Sequence, residues 1–258
     1  MTDGLRVSLL SVTPVKGLGL HHPESVELTA DGVGGDREFF LVDAAGEMAS
    51  CTDIGALMAH RAELDAASGV LTVHGPDGAL RSAPVELGDA IDTDFYGLRT
   101  VSGHHVAGWD DVFSDIAGQP LRLVRGDTGA FDVAGVTLVG KASTAALAVA
   151  NGLKPVDGRR FRMNIEIAGS SVLDEDTWDG RELSIGDAVV RAGGPVKRCA
   201  ATTRNPDTGE IDLQTLKLIG ALKGREDHAP WGAGFFFGVY ADVLVPGRVA
   251  VGDPVTLG

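Results

Sequence analysis

The chain has 258 residues, of which 44% are apolar, and it carries a net charge of −14. This length allows one large domain or two smaller ones, each with a buried core. The negative charge argues against binding to nucleic acid and to anionic membrane surfaces, because both require a surplus of lysine and arginine.

The first half of the chain contains short apolar runs separated by glycine, proline and aspartate, which predict β-strands. A turn at Gly75-Pro-Asp-Gly78 separates two of these runs. Residues 52–64 fit either a helix capped by Asp53 or a turn followed by a strand, and we favour the second interpretation. The other strands are predicted at residues 5–12, 25–28, 36–42, 70–74 and 80–87.

The second half of the chain adds three short helices to further strands. The first covers residues 111–117, with Asp110 as its cap and Gly118 as its end. The second begins at Ser143 and ends at Asn151-Gly152, and the third covers residues 213–222. Residues 223–234 are polar and contain glycine, which predicts a mobile loop. Strands are predicted at 121–124, 136–140, 164–168, 182–185, 188–192, 235–244 and 247–257.

This succession of short strands predicts a mainly β chain with a few short helices. We place the division between an N-terminal β unit and a C-terminal β-barrel within residues 88–130, giving domains 1–100 and 101–258. No flexible linker marks the division, so the two units are expected to pack closely.

The two cysteines, Cys51 and Cys199, are too few for a disulfide framework and fit a reducing compartment. The sequence shows no signal peptide and no apolar run long enough to span a membrane. We therefore expect a cytoplasmic protein with no membrane partner.

Cys199 follows two cations, Lys197 and Arg198, and precedes the hydroxyl pair Thr202 and Thr203. Neighbouring positive charge favours the thiolate, which is the form that binds soft metals or attacks electrophiles. The alternative is that Cys199 ends a strand and packs as a small hydrophobic residue. On this stretch alone the alternative is favoured.

A set of short motifs extends along almost the whole chain. They are Thr13-Pro-Val-Lys-Gly17, Gly35-Asp-Arg37, Phe40-Leu-Val-Asp43, Arg160-Phe-Arg-Met-Asn-Ile165, Trp178-Asp-Gly180, Leu183-Ser-Ile-Gly186, Arg198-Cys-Ala-Ala-Thr-Thr203, Pro206-Asp-Thr-Gly209, Phe237-Gly-Val-Tyr240 and Val251-Gly-Asp-Pro-Val255. Together, and in this order, they resemble the MOSC family, named for the C-terminal domain of molybdenum cofactor sulfurase. The branch they resemble is that of the amidoxime-reducing components and their bacterial relatives.

The resemblance implies an N-terminal β-barrel unit packed on a C-terminal MOSC β-barrel, with a molybdenum–pterin cofactor between them. Cys199 matches the family's molybdenum ligand. The matching cofactor-binding positions are Lys16, Arg37, Ser143 and Arg162 for the phosphate tail, and Asn164, Thr202, Thr203 and Asp207 near the pterin and metal. Pyridoxal phosphate is not expected.

Physical chemistry is consistent with the phosphate positions. Removing a phosphate from water is costly unless cations or oriented N–H groups replace its hydration. Arginine offers two N–H donors in one plane for this purpose. We expect Arg37 and Arg162 each to enter a strand, and Ser143 to offer the positive end of a helix dipole. Taken singly, Lys16 and Ser143 also fit a solvated cation and an ordinary cap.

Four positions depart from the family pattern. Gly17 stands where a serine is common, and Met163 replaces a proline. Cys51 lies where glutamine or arginine is common, which leaves a second thiol near the site or a buried inert one. Gly220 stands where arginine is frequent. These departures leave open a member that binds no cofactor.

The resemblance implies a molybdenum-dependent oxidoreductase that reduces N-hydroxylated small molecules such as hydroxylamines or amidoximes. The sequence shows no second redox motif and no dinucleotide-binding fingerprint, so the electrons are expected from a separate flavin or iron–sulfur reductase. Because this chain is acidic, that donor is expected to have a basic docking face. Two alternatives are a sulfur-transfer protein that uses Cys199, and a scaffold without cofactor that binds a small ligand or a partner.

Overall fold

The structure, a computed structural model, describes residues 4–149, 152 and 155–258. It is mainly β, with 45% strand and 17% helix, as the sequence predicted. Within this described part of the chain, no helix is both long enough and apolar enough to cross a membrane.

The N-terminal strands are β1 (Arg6–Leu10), β2 (Ser25–Thr29), β3 (Gly32–Val33), β4 (Phe39–Asp43), β5 (Arg61–Asp65), β6 (Val70–Gly75), β7 (Gly78–Pro84), β8 (Leu87–Phe95), β9 (Arg99–Val106) and β10 (Leu121–Gly126). The later strands are β11 (Val136–Gly140), β12 (Ile165–Ala168), β13 (Glu182–Ile185), β14 (Ala188–Lys197), β15 (Glu226–His228), β16 (Gly232–Gly234), β17 (Phe236–Val245), β18 (Gly247–Ala250) and β19 (Val255–Leu257). The helices are α1 (Asp110–Ala117), α2 (Lys141–Val149) and α3 (Thr215–Lys223), with 3-10 turns at Gly55–Ala59, Gly158–Phe161, Asp174–Thr177 and Ala200–Thr203.

Seven strands form one large sheet in the order β1-β12-β11-β17-β14-β13-β19. Its two edges meet, because Val7 N donates to Asp253 O (2.9 Å) and Val255 N donates to Leu5 O (2.8 Å). These bonds bring the sheet close to a closed barrel, which removes the unpaired edges that an open sheet would expose. Alternate side chains of the strands fill its interior, together with Trp178.

The N-terminal unit combines the four-stranded sheet β4-β10-β9-β8 with the three-stranded sheet β5-β6-β7. Phe39 and Leu41 of β4 pack against Trp109 and Phe113 at helix α1 in a second core. Strand β2 pairs with β18 from the far end of the chain.

Strands from each side of the predicted division at residue 100 pair with strands from the other side. Strand β1 belongs to the large C-terminal sheet, and β10 pairs with β4 and β9 of the N-terminal unit. Strand pairing joins segments that lie far apart in the sequence, so the sheets do not follow a single cut. The division into domains 1–100 and 101–258 stays a prediction.

Several local predictions are confirmed. Strands β11 and β13 have the predicted bounds, and residues 52–64 form a 3-10 turn followed by β5. Helix α1 ends at Gly118, whose φ of 68° is in the left-handed region that favours glycine.

Other local predictions are wrong. Asp110 is the first residue of helix α1 rather than its cap, and its carboxylate lies 2.9 Å from His105 Nε2. Helix α2 begins at Lys141, two residues before Ser143, and its predicted end at Asn151 lies outside the described residues. Residues 223–234 include the antiparallel hairpin β15–β16 rather than forming only a loop.

Candidate functional site

A cavity of about 450 Å³ opens between the N-terminal strands and the large sheet. Both β units contribute to its wall, so it exists only in the folded chain. Six of the described lining residues are cations and two are aspartates: Lys16, Arg37, Arg160, Arg162, Lys197, Arg198, Asp53 and Asp132. A surplus of positive charge in a chain of net charge −14 indicates an anion-binding cavity.

Lys16 lies in the turn that follows β1, where its backbone N–H donates to Phe39 O (2.8 Å). Its side chain is 10% exposed, and its ammonium group donates to Asp132 Oδ1 at 2.6 Å. Burial lowers the pKa of Lys16, and neighbouring Arg37 lowers it further, while Asp132 raises it. The lysine is therefore a desolvated donor that faces the cavity.

Arg37 is held from one side by a buried carboxylate. Its Nη1 donates to Asp36 Oδ2 at 2.6 Å, and its Nη2 donates to Arg162 O at 3.2 Å. Asp36 also accepts bonds from Thr13 N (2.8 Å) and Asn164 Nδ2 (2.9 Å). The guanidinium is thereby held in one orientation at the cavity wall.

Arg162 follows the 3-10 turn Gly158–Phe161 and donates from Nη2 to Leu18 O at 2.7 Å. Desolvation lowers its pKa, with Cys51 opposing this effect and Arg37 adding to it. Arg37 and Arg162 both have φ of 52°. Neither enters a strand as predicted, because each lies in a left-handed turn before one. Such strained residues are common at binding sites.

Cys199 leaves the end of β14 and precedes the 3-10 turn Ala200–Thr203. Its side chain is exposed at the cavity wall, and its Sγ lies 3.8 Å from Thr52 Oγ1. The alternative that Cys199 packs as a small buried hydrophobic residue is therefore wrong. The other cysteine, Cys51, also lines the cavity but is buried.

Arg198 anchors the cysteine to the large sheet. Its Nε donates to Phe237 O at 2.8 Å and its Nη1 donates to Phe161 O at 2.9 Å. Burial lowers the pKa of Arg198 to about 10, although Tyr240 and Cys199 oppose the shift. The side chain thus connects β14, β17 and the turn that carries Arg162.

The two threonines after Cys199 have different positions. Thr202 lines the cavity, and its hydroxyl donates to Cys199 O (3.1 Å) and lies 2.6 Å from Thr215 Oγ1. Thr203 does not line the cavity, and its hydroxyl donates to Ala200 O at 2.6 Å. Both hydroxyls stabilise the turn that presents the thiol.

The structure places Ser143 away from the cavity. Helix α2 begins two residues earlier, so the Ser143 side chain turns into the protein, where it is fully buried. Its hydroxyl donates to Glu175 Oε2 at 2.8 Å and accepts from Leu173 N at 2.7 Å. Both bonds are internal, and the predicted contact with phosphate does not fit this position.

Asn164 and Asp207 also lie outside the described cavity wall. Asn164 supports the wall indirectly, because it donates to Asp36, which holds Arg37. Asp207 is on the surface, where both of its oxygens accept bonds from Arg159 at 2.8 Å.

Trp231, which the sequence suggested as a residue at a substrate mouth, lines the cavity, whereas sequence reasoning missed Asp132 and Tyr96, which also line it. Each of these two lies in a turn or loop that matched no motif, so no local signal marked it. The left-handed φ of 57° at Tyr96, before Gly97, became evident only from the backbone.

The described residues contain no group of three or more His, Cys, Asp and Glu side chains that could hold a metal ion. The donor set instead combines one exposed thiol with cations that suit a phosphate. This set fits a metal that takes one ligand from the protein and its other ligands from a cofactor with a phosphate group.

Comparison with known proteins shows which family the chain resembles. The family model of the MOSC domain matches residues 127–256, and that of the MOSC N-terminal beta barrel domain matches residues 4–111. The chain is similar to mitochondrial amidoxime-reducing component 1 of Homo sapiens (40% identity over 108 residues, 40% of this chain). It is 40% identical to component 2 of Bos taurus over 106 residues, again 40% of this chain.

A longer but weaker similarity extends to the molybdenum cofactor sulfurase of Oryza sativa subsp. japonica. The identity is 26% over 265 aligned residues, which cover 86% of this chain. In each of these three comparisons the match covers 31% of the relative's own length. The chain therefore corresponds to about a third of these relatives.

Proposed function

The chain belongs to the MOSC family, and from this premise we propose that its cavity binds a molybdenum–pterin cofactor. We further propose an oxidoreductase that reduces N-hydroxylated compounds such as hydroxylamines and amidoximes. The observation that carries the proposal is that the Cys199 thiol and the cations Lys16, Arg37 and Arg162 all face one cavity.

In this proposal the phosphate of the cofactor is bound by Lys16, Arg37 and Arg162. Two guanidiniums offer several N–H donors in fixed planes, which suits a phosphate better than a single point charge does. Cys199 would ligate molybdenum through its sulfur, and Thr202 would keep the turn that carries Cys199 in place. Ser143, Thr203 and Asp207 are left out of the proposed contacts, and Asn164 acts by holding Asp36.

When bound, the cofactor would supply two-electron redox chemistry. The chain's own residues would bind and orient that group. Burial raises the pKa of Tyr240 to about 12, so its phenol remains protonated at neutral pH near the cavity wall. Reduction of an N–OH group to N–H and water consumes two electrons and two protons.

The electrons are supplied by a separate donor of the flavin or iron–sulfur class, and the protons come from water. The chain contributes the cavity that would receive the N-hydroxylated substrate. Because the outer surface is acidic, the proposed donor has a basic face.

The test is elemental analysis of the protein purified from a host that makes molybdopterin. We expect about one molybdenum per chain in the wild type, loss of the metal in Cys199→Ala, and retention of it in Cys51→Ala, which is the matched thiol control. Reduction of an amidoxime by the wild type with an artificial donor completes the test. A wild-type protein without metal from such a host would favour a scaffold that binds no cofactor.

A second candidate is sulfur transfer, favoured by the exposure of the Cys199 thiol at the cavity wall. In this candidate the sulfur is carried as a persulfide on Cys199. Cyanide releases thiocyanate from such a sulfur. Cyanolysable sulfur in the wild type and its absence in Cys199→Ala would favour this function over the first.

A further inference from the structure

Two carboxylates pair with cations that line the cavity: Asp36 with Arg37, and Asp132 with Lys16. They differ in how far they are buried. Asp36 is 1% exposed and accepts bonds from a backbone N–H, a guanidinium and an amide. Asp132 is 65% exposed, although the Lys16 ammonium it pairs with is only 10% exposed. Asp36 is thus held from three directions within the wall, whereas Asp132 accepts a bond from Lys16 and most of its side chain is exposed.

Asp132 lies in the linker of residues 127–135 that joins β10 to β11. The linker is attached near both ends, because Ala130 N donates to Arg37 O (2.9 Å) and Val33 N donates to Gly135 O (3.1 Å). Between these points Asp132 and Val133 are exposed. A rotation of the Asp132 side chain is therefore enough to withdraw its carboxylate from Lys16 without breaking strand pairing.

The Asp132 carboxylate lies among cations, as a bound anion would. Desolvation raises the pKa of its carboxyl, but the nearby charges of Lys16, Arg37 and Arg162 outweigh this and the pKa is lowered. A phosphate group carries more charge and more acceptor oxygens than one carboxylate. Two anions that contact the same ammonium group repel each other, so each weakens the binding of the other.

We propose that Asp132 is an internal substitute for the phosphate of the ligand. Its carboxylate pairs with Lys16 while the cavity is empty and is displaced when a phosphate-bearing ligand binds. This inference rests on the proposed function only in taking the phosphate-bearing ligand to be the molybdenum–pterin cofactor. Asp132 weakens the binding of every phosphate in this cavity and prevents Lys16 from remaining desolvated and unpaired.

Isothermal titration of inorganic phosphate tests this, using the full chain from a host that makes no molybdopterin. Asp132→Asn removes the competing charge and should bind phosphate about tenfold more tightly than the wild type, as expected for loss of one charged hydrogen bond. Asp53→Asn is the matched control, because Asp53 also lines the cavity and is exposed but has no bond to Lys16. Its affinity should change by less than about twofold.

Lys16→Met in the Asp132→Asn background should abolish the gain, since the released ammonium is the group that binds. Asp132→Ser serves as a second variant if the asparagine variant unfolds, which a thermal melt would show. The proposal is overturned if Asp132→Asn binds no more tightly than the wild type, or if Asp53→Asn gains as much. The titration contains no metal, so failure of the proposed redox function leaves its result unaffected.

Discussion

The pair of Asp36 and Arg37 provides the sharpest test of how the cavity wall is built. The two side chains are 1% and 12% exposed and lie 2.6 Å apart. Replacing Asp36 with alanine leaves a mostly buried guanidinium without its partner, which costs about 3–5 kcal/mol of folding free energy. For a chain of this size the loss corresponds to a decrease in Tm of roughly 6–20 °C.

Thermal unfolding of Asp36→Ala, followed by circular dichroism, measures this loss. Asp77→Ala is the control, because Asp77 lies in the exposed turn between β6 and β7. The double variant Asp36→Ala/Arg37→Ala removes both charges and should lose less than the sum of the two single variants. A decrease below about 2 °C in Asp36→Ala, or a double variant with strictly additive losses, would refute the reasoning.

Three further predictions concern other parts of the chain. Cys51→Ala should lower the free energy of unfolding by about 1 kcal/mol in a urea titration, because its thiol is buried in the core behind the cavity. Gly209→Ala should lower it by about 2 kcal/mol or more in the same assay, since Gly209 has φ of 74° and a Cβ there would meet the carbonyl oxygen of Gly55. Burial raises the pKa of Glu175 above its ordinary value of 4.5, so the native state retains the proton and stability should decrease as pH rises above that value. Melts from pH 4 to pH 8 should show this decrease, and Glu175→Gln should reduce it.

Each of these has an outcome that contradicts it. Cys51→Ala with unchanged stability would mean that its buried thiol contributes nothing to packing. Gly209→Ala with unchanged stability would mean that the turn at Gly209 rearranges at no cost. A Glu175→Gln variant with the same pH dependence as the wild type would assign that dependence to other groups.

Charge is distributed unevenly in this protein. The chain as a whole is strongly acidic, yet the described wall of the cavity that contains Cys199 carries more cations than carboxylates. The wall of this cavity therefore attracts anions, although the net charge of the chain disfavours them. This arrangement favours a cofactor that is anionic and a docking partner that is basic.

The sequence predicted the element types well and the conformation of single residues poorly. Alternation and turn residues located strands such as β11 and β13, because these signals act over a few neighbours. The same reasoning placed Arg37 and Arg162 in strands, whereas both lie in left-handed turns. A positive φ at arginine is imposed by the surrounding structure, so no local propensity indicates it.

The predicted site residues show the same limit. The motif containing Cys199 indicated the thiol, and Lys16, Arg37 and Arg162 line the same cavity as that thiol. Ser143 matched the motif pattern equally well but faces Glu175, because helix α2 begins two residues earlier than predicted. A shift of this size along a helix turns a side chain to another face.

By itself the sequence determined that the chain is mainly β, that it resembles the MOSC family, and which thiol and cations are available. The tertiary structure decided which of them share a cavity, and it added Asp132 to them. The physical reason is that strand pairing between distant segments, such as β1 with β12 and β10 with β4, folds together a chain whose cavity-lining residues run from Lys16 to Tyr240. Such pairing depends on how whole sheets pack, which no stretch of neighbouring residues encodes.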